Sequence, residues 1–322
     1  FSGTFYLNGL QQIDPEIATV LAKYKGDNLY LNGLQQIDDV VANALAQFKG
    51  ERLYLNGLQQ IDETMAKNLA LFQGKCLYLD SLQQMDNVIA NALSQFKGNG
   101  LSLNGLEQID EPTAKALAQW QGEYLSLSLN GLQQIDLKTA TALAQFKGTF
   151  FYLGLERIDP EVAKALAQFS NSRLLLFSGL KQIDLEIVTA LTQFNGVGLG
   201  LDGLEQIDVE VATALAQFRG MLLYLNGLQQ INEDVAKALS LFKGRIDTTE
   251  TVKKKIQNYR MLIAQKEVEK FKDFYKMSEE NLKTYSLSEL MDIDSIEGGW
   301  LLGFVSNDIK KNPKHYLFLN QL

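Results

Sequence analysis

The sequence predicts an α/β fold: a right-handed solenoid with a parallel concave sheet and short convex helices, followed by a mainly helical non-repeat segment. Three observations carry this. The stretch at residues 29–50, LYLNGLQQIDDVVANALAQFKG, recurs ten times at a period near 24 residues, and periods of 20 to 50 residues mark solenoids. Inside each unit a period-2 apolar alternation gives way to an apolar stripe at helical spacing. After Gly244 the pattern breaks, and residues 247–277 form a charged run without Gly or Pro.

The elements of one unit follow in order. Leu29 and Leu31 alternate with Asn28, Tyr30 and Asn32, which predicts a strand of about five residues with one face buried. Gly33 turns the chain, and Leu34 and Ile37 point back to the core. The Gly register runs Gly9, Gly33, Gly57, Ser81, Gly105, Gly131, Gly154, Gly179, Gly203 and Gly227. Asp38 and its equivalents (Asp14, Asp62, Asp86, Asp110, Asp136, Asp159, Asp184, Asp208 and Asn232) precede a helical pattern, where the side chain can accept the orphan N–H groups of the first turn. Pro15 and Pro160 suit the first helical position. A helix of about 11 residues then buries Val41, Leu45 and Phe48, or Ile17, Leu21 and Tyr24. Ala42 and Ala46 let neighbouring helices approach. Gly50 and its equivalents fall where a left-handed C-cap residue belongs, with Asn171 replacing glycine once.

Such helices are too short to stand alone, so each unit depends on its neighbours. Right-handed crossovers stack the strands into a parallel sheet. Helices are about 10 Å wide and strands about 4.8 Å apart, so the sheet lies on the concave side. At this point residues 1–244, with the motif LxLxGLxxI, resemble the leucine-rich repeat superfamily and are similar to its bacterial, treponemal-type variants. The resemblance implies a protein-binding concave sheet and is silent on the ligand.

A net charge of -8 and a pI near 4.9 argue against a phosphate-binding surface, so no nucleic-acid partner is expected. No apolar run reaches the 18 residues of a membrane span, so no membrane insertion is expected. Cys76 is the single cysteine. That excludes an intrachain disulfide and fits a reducing, cytoplasmic compartment, while a secreted or surface location stays open. The chain opens FSGTFYLNGL, inside a repeat and without a signal sequence, which reads as an excised fragment of a longer chain.

Departures from the repeat are the informative residues. The outward position three before the Gly reads Tyr6, Tyr30, Tyr54, Tyr78, Ser102, Ser128, Tyr152, Leu176, Gly200 and Tyr224. Four adjacent tyrosines make a stripe of about 15 Å on the concave face. Tyrosine offers large contact area with a polar tip, and stacked rings also stabilise a sheet; both readings stand. A column of Asn8, Asn32, Asn56, Asp80, Asn104, Asn130, Ser178, Asp202 and Asn226 suits amides that bond along the sheet or hold the turn. The Gln11–Gln12 pair and its equivalents belong on an exposed rim. Gly198, Gly200 and Gly203 spell GxGxxG, but two of them lie in a strand, which a dinucleotide loop does not allow. The Asp column is accounted for by caps, not calcium. Cys76 reads as a spare thiol with nothing basic beside it by register, and His315 lacks a nucleophile or metal partner. No catalytic, cofactor or metal constellation emerges.

Residues 245–312 read as a mainly helical insertion or cap, and 313–322 as a returning repeat-like strand, since LFLNQL echoes LYLNGL. The expected function is a non-enzymatic protein-binding scaffold whose partner is an unidentified protein or a flanking domain of a longer chain. The candidate contact residues are Tyr6, Tyr30, Tyr54, Tyr78, Tyr152, Tyr224 and Trp300. The alternative is a structural, self-assembling repeat protein.

Overall fold

A computed structural model describes residues 3–122, 124–169 and 173–281, with side chains described as far as Lys266. The expected return of the strand at 313–322, Trp300, His315 and Asn171 lie outside the described residues. The chain divides into two compact units, Phe1–Ile256 and Gln257–Leu322; the described part of the second is the continuation of the last helix.

The first unit is the expected solenoid of leucine-rich-repeat type. Strands β1 (Thr4–Tyr6), β2 (Asn28–Tyr30), β3 (Arg52–Tyr54), β4 (Cys76–Tyr78), β5 (Gly100–Ser102), β6 (Ser126–Leu129), β7 (Phe150–Leu153), β8 (Leu174–Phe177), β9 (Gly198–Leu201), β10 (Leu222–Leu225) and β11 (Arg245–Thr248) form one parallel sheet in chain order. Helices α1 (Pro15–Ala22) to α10 (Glu233–Ser240) alternate with them, and α11 (Glu250–Asn281) follows β11. The sheet therefore runs one strand past Gly244. Ile246 takes the inward place of Leu223 in register, but RIDT carries no LxLxGL signature, so the strand was not legible in the sequence. The first turns of α11 lie over the last repeat. There Val252 and Ile256 are buried, Thr249 Oγ1 donates to the Leu228 carbonyl, and Lys255 Nζ donates to that of Ile231.

Several local expectations are corrected. Strands have three or four residues, and α1 to α10 have seven or eight, not about 11. Helix α2 (Asp39–Leu45) ends at a right-handed C-cap on Ala46. Phe48 lies beyond it in a turn where its N–H donates to the Leu45 carbonyl at 3.0 Å, and this turn drops the ring into the core. No described glycine has a positive φ, so Gly50 is not a left-handed cap. A Cβ at Gly50 would sit 2.2 Å from the Phe48 ring and 2.5 Å from the Gly26 carbonyl. Glycine is there because neighbouring turns and an aromatic ring leave no volume for a side chain. The two extra residues of the fifth step are absorbed near Tyr124, whose φ of 57° is the left-handed value among the described non-glycine residues.

The end of the array measures how far each unit leans on its neighbours. Ile17 is 45% exposed where its equivalent Val41 is 1%, and Phe5 is 40% exposed where Leu29 is fully buried. Ile17 is thus an exception to the expected buried stripe, because no described repeat precedes it. Nine of the ten predicted N-caps accept a helix N–H through their side chain, Asp62 from Met65 at 2.8 Å for example. Asp159 makes no such bond.

Behind the sheet runs an aromatic ladder, with ring centroids 6.2 Å apart from Tyr24 to Phe48, 6.1 Å from Phe48 to Phe72 and 6.0 Å from Phe72 to Phe96. Trp120 continues it, and its indole N–H donates to the Phe96 carbonyl at 2.8 Å. Rings on the outward sheet face are only 3.9 and 4.1 Å apart. Spacing that widens from the sheet face to the helix side means the outward sheet face is concave. Two outcomes follow for chemical denaturation. Phe72→Ala removes a fully buried ring and costs about 3–5 kcal/mol. Asp62→Ala costs about 1 kcal/mol, whereas Asp159→Ala has a smaller effect, because it loses no cap bond.

Candidate binding face of the sheet

The outward side chains of the sheet fall into three zones, fixed by strand register. The first, on β1 to β4, is the tyrosine ladder. Tyr6, Tyr30, Tyr54 and Tyr78 stack with centroids 4.6, 3.9 and 4.1 Å apart and interplanar angles of 25°, 7° and 9°. Parallel pairing in register places equivalent residues side by side at the strand spacing, so identical rings meet face to face. Ring faces are spent on each other, and the ladder offers edges and hydroxyls. Tyr6, at the open end, is 65% exposed, while Tyr30, Tyr54 and Tyr78 are half-buried.

Beside the ladder lies the first outward column, Thr4, Asn28, Arg52 and Cys76. Arg52 is the register neighbour of Cys76, which corrects the expectation that nothing basic lies beside the thiol. Asn28 Nδ2 donates to Thr4 Oγ1 at 3.1 Å, and Arg52 Nη1 donates to Asn28 Oδ1 at 3.3 Å.

The second zone, on β5 and β6, carries only Gly100, Ser102, Ser126 and Ser128 at its outward positions. A hydrogen-bond chain crosses it. Ser178 Oγ donates to Asn130 Oδ1, Asn130 Nδ2 to Ser128 Oγ, Ser128 Oγ to Asn104 Oδ1, Asn104 Nδ2 to Ser102 Oγ, and Ser102 Oγ to the Asp80 carboxylate. The column before the glycine bonds along the sheet as well. The backbone N–H groups of Asn32, Asn56, Asp80, Asn104 and Asn130 each donate to the side-chain oxygen one repeat back, at 2.9 to 3.1 Å. The column is a structural spine, and buried side-chain polar atoms among the described residues all have partners.

The third zone, on β7 to β10, was not legible as a unit. Phe150, Leu174 and Leu222 occupy one outward row, and Tyr152, Leu176 and Tyr224 the next, with Gly198 and Gly200 between them on β9. All six side chains are half-buried. The glycines leave no trough. A Cβ at Gly198 would meet Leu174 Cδ2 at 2.5 Å, and one at Gly200 would meet Leu176 Cδ2 at 2.3 Å, so the leucines lean across β9. Burial pushes the Tyr152 phenol above its ordinary range, with a smaller contribution from Tyr224. Of this zone, sequence reading offered only these two tyrosines as contact residues. The missed signal was the row two residues upstream, where polar residues turn to Phe150, Leu174 and Leu222.

The chemistry of the other candidates is modest. The GxGxxG glycines lie in β9 and its following turn, not in a strand-to-helix loop. Among the described residues no group of three or more His, Cys, Asp or Glu side chains is placed to hold a metal ion, and no helix is long and apolar enough to cross a membrane. Hydrogen bonds from Thr113 and Thr139 hold the cap carboxyls of Asp110 and Asp136 below the usual range.

No family model matches the chain, and no curated protein matches it. Among solved structures it is similar to an internalin (InlF) from Listeria monocytogenes. The two are 20% identical, the alignment covers 78% of this chain and 83% of that one, and the TM-score is 0.42.

The tyrosines also set an alkaline limit. Burial pushes Tyr54 and Tyr78 above the ordinary phenol range, and Tyr30 is raised chiefly by its hydrogen bond with Tyr54. A raised folded-state pKa holds the proton more tightly in the native chain. Its stabilisation is therefore complete below the unfolded tyrosine pKa of about 10 and is lost as pH rises through the folded value. Denaturation between pH 8 and 11 is expected to show stability falling over that upper range. Tyr30→Phe/Tyr54→Phe/Tyr78→Phe is expected to flatten the fall.

Proposed function

We propose that this chain is a non-enzymatic protein-binding scaffold that presents the concave sheet face, with the ladder of Tyr6, Tyr30, Tyr54 and Tyr78 as one contact surface and segment 245–312 as another. The observation that carries the reading is the ladder itself. Four aligned phenols place aromatic edges and hydroxyls on one side of a sheet whose other face is filled by leucine. Aromatic side chains with polar tips are what protein interfaces concentrate, and the rings lose little further freedom on binding because stacking already orders them.

A second reading, a self-assembling repeat array, is favoured by β1. Each described strand joins the next repeat by in-register parallel pairing, and the same pairing could join β1 to a strand of another chain. The two readings make separate predictions. Tyr30→Ala/Tyr54→Ala is expected to lose proteins that the unaltered chain retains from a lysate, with thermal stability changed by about 1–2 kcal/mol; equal retention would count against the ladder. For the second reading, light scattering over a concentration series is expected to show growth that Phe5→Lys suppresses, and a monomer throughout would exclude it.

A further inference from the structure

We infer that the apolar zone on β7 to β10 is a docking surface for one amphipathic α-helix of a partner protein. This rests on reading the concave face as a binding face and names a second site there, distinct from the tyrosine ladder. Phe150, Leu174 and Leu222 in one row, with Tyr152, Leu176 and Tyr224 in the next, make a contiguous largely apolar surface on a face whose other outward side chains are mostly polar or charged. On its β6 side stand Ser126 and Ser128, and on its β10 side Arg245 and Asp247, which pair with each other at 2.7 Å. An apolar centre with a polar rim is the anatomy of a contact site.

The kind of partner follows from backbone chemistry. Strands β7 to β10 are each hydrogen-bonded to a strand on both sides. An extended peptide laid on this face would find no backbone donor or acceptor, only two phenol hydroxyls, and its own N–H and C=O groups would be desolvated without partners. A helix arrives with those groups already satisfied. Size points the same way. Three strand steps and two outward rows cover on the order of 200–250 Å², well below the ~800 Å² that each partner of a stable globular pair contributes. A second folded copy seated here would be under-held, whereas a helix of about 10 residues spans the roughly 14 Å of three strand steps. The leaning of Leu174 and Leu176 over the glycines keeps the floor smooth for it.

The test uses the full chain and a fluorescein-labelled peptide of about 14 residues, with leucines at i, i+3, i+4, i+7 and i+11 and Lys and Glu elsewhere. A control peptide carries two central prolines. Fluorescence anisotropy is expected to show saturable binding of the helical peptide and at least about tenfold weaker binding of the proline peptide. Leu174→Asn/Leu222→Asn is expected to weaken binding at least about tenfold. Tyr30→Ala/Tyr54→Ala is expected to stay within about twofold, which separates this site from the ladder. Methyl shifts of Leu174, Leu176 and Leu222 on the unaltered chain provide a second readout should the leucine variant unfold. Absent binding, equal binding of both peptides, equal binding by the folded leucine variant, or shifts confined to other methyls would each overturn the inference.

Discussion

Close approach of one repeat's backbone to the next is the constraint on which the rest of this structure depends. At Gly57 a Cβ would lie 2.3 Å from the Asn32 carbonyl oxygen and 2.5 Å from that of Leu34, both backbone atoms of the preceding turn. A side chain there needs those backbone atoms to give way, and nine of the ten repeats carry glycine; Ser81 is the exception, and β4 before it still pairs in register with β3 and β5. Once the repeats are that close, the strands pair in register and the Asn56 N–H reaches Asn32 Oδ1 at 3.1 Å. The same closeness makes Leu53, Leu55, Leu58, Leu69 and Phe72 fully buried. Close backbone approach at this turn thus supports the hydrogen bonding and the burial together. A seven-residue helix has no independent stability, and the array is the smallest thing here that folds.

Register then converts sequence into surface. Because parallel strands pair residue for residue in register, a substitution in one repeat changes one known place on the concave face. Tyrosine repeated four times becomes a stack, because identical rings at strand spacing can only lie face to face. Serine in two repeats becomes a polar strip whose hydroxyls join the asparagine spine. Phenylalanine, leucine and glycine in four repeats become an apolar floor. The face is divided along its length while the core behind it stays nearly uniform, so divergence among the repeats falls where stability does not forbid it.

Much of this was readable from the residues. The Gly and Leu columns gave the period, the Asp column gave the helix starts, and alternation gave the strand faces. Other features were not readable, for identifiable reasons. Phe48 keeps helical spacing from Leu45 although it lies in a turn, because a turn that closes i to i−3 mimics one more helical step. Gly50 sits where a left-handed cap is common, and only the positions of Phe48 and Gly26 show that volume is the reason for it. Ile246 continues the core without the surrounding motif. Arg52 and Cys76 are 24 residues apart in the chain and adjacent in space, because β3 and β4 pair in register.

By itself the sequence determined the period, the parallel order of strands, the capped helices and the identity of the inward residues, because these follow from local propensity and from a pattern repeated often enough to leave one consistent stacking. Tertiary structure alone decided how rings, hydroxyls and leucines from different repeats combine on the concave face. Those groups lie a full repeat apart along the chain, and their meeting depends on strand spacing, ring tilt and the room left by glycine, quantities that exist only once the repeats are stacked.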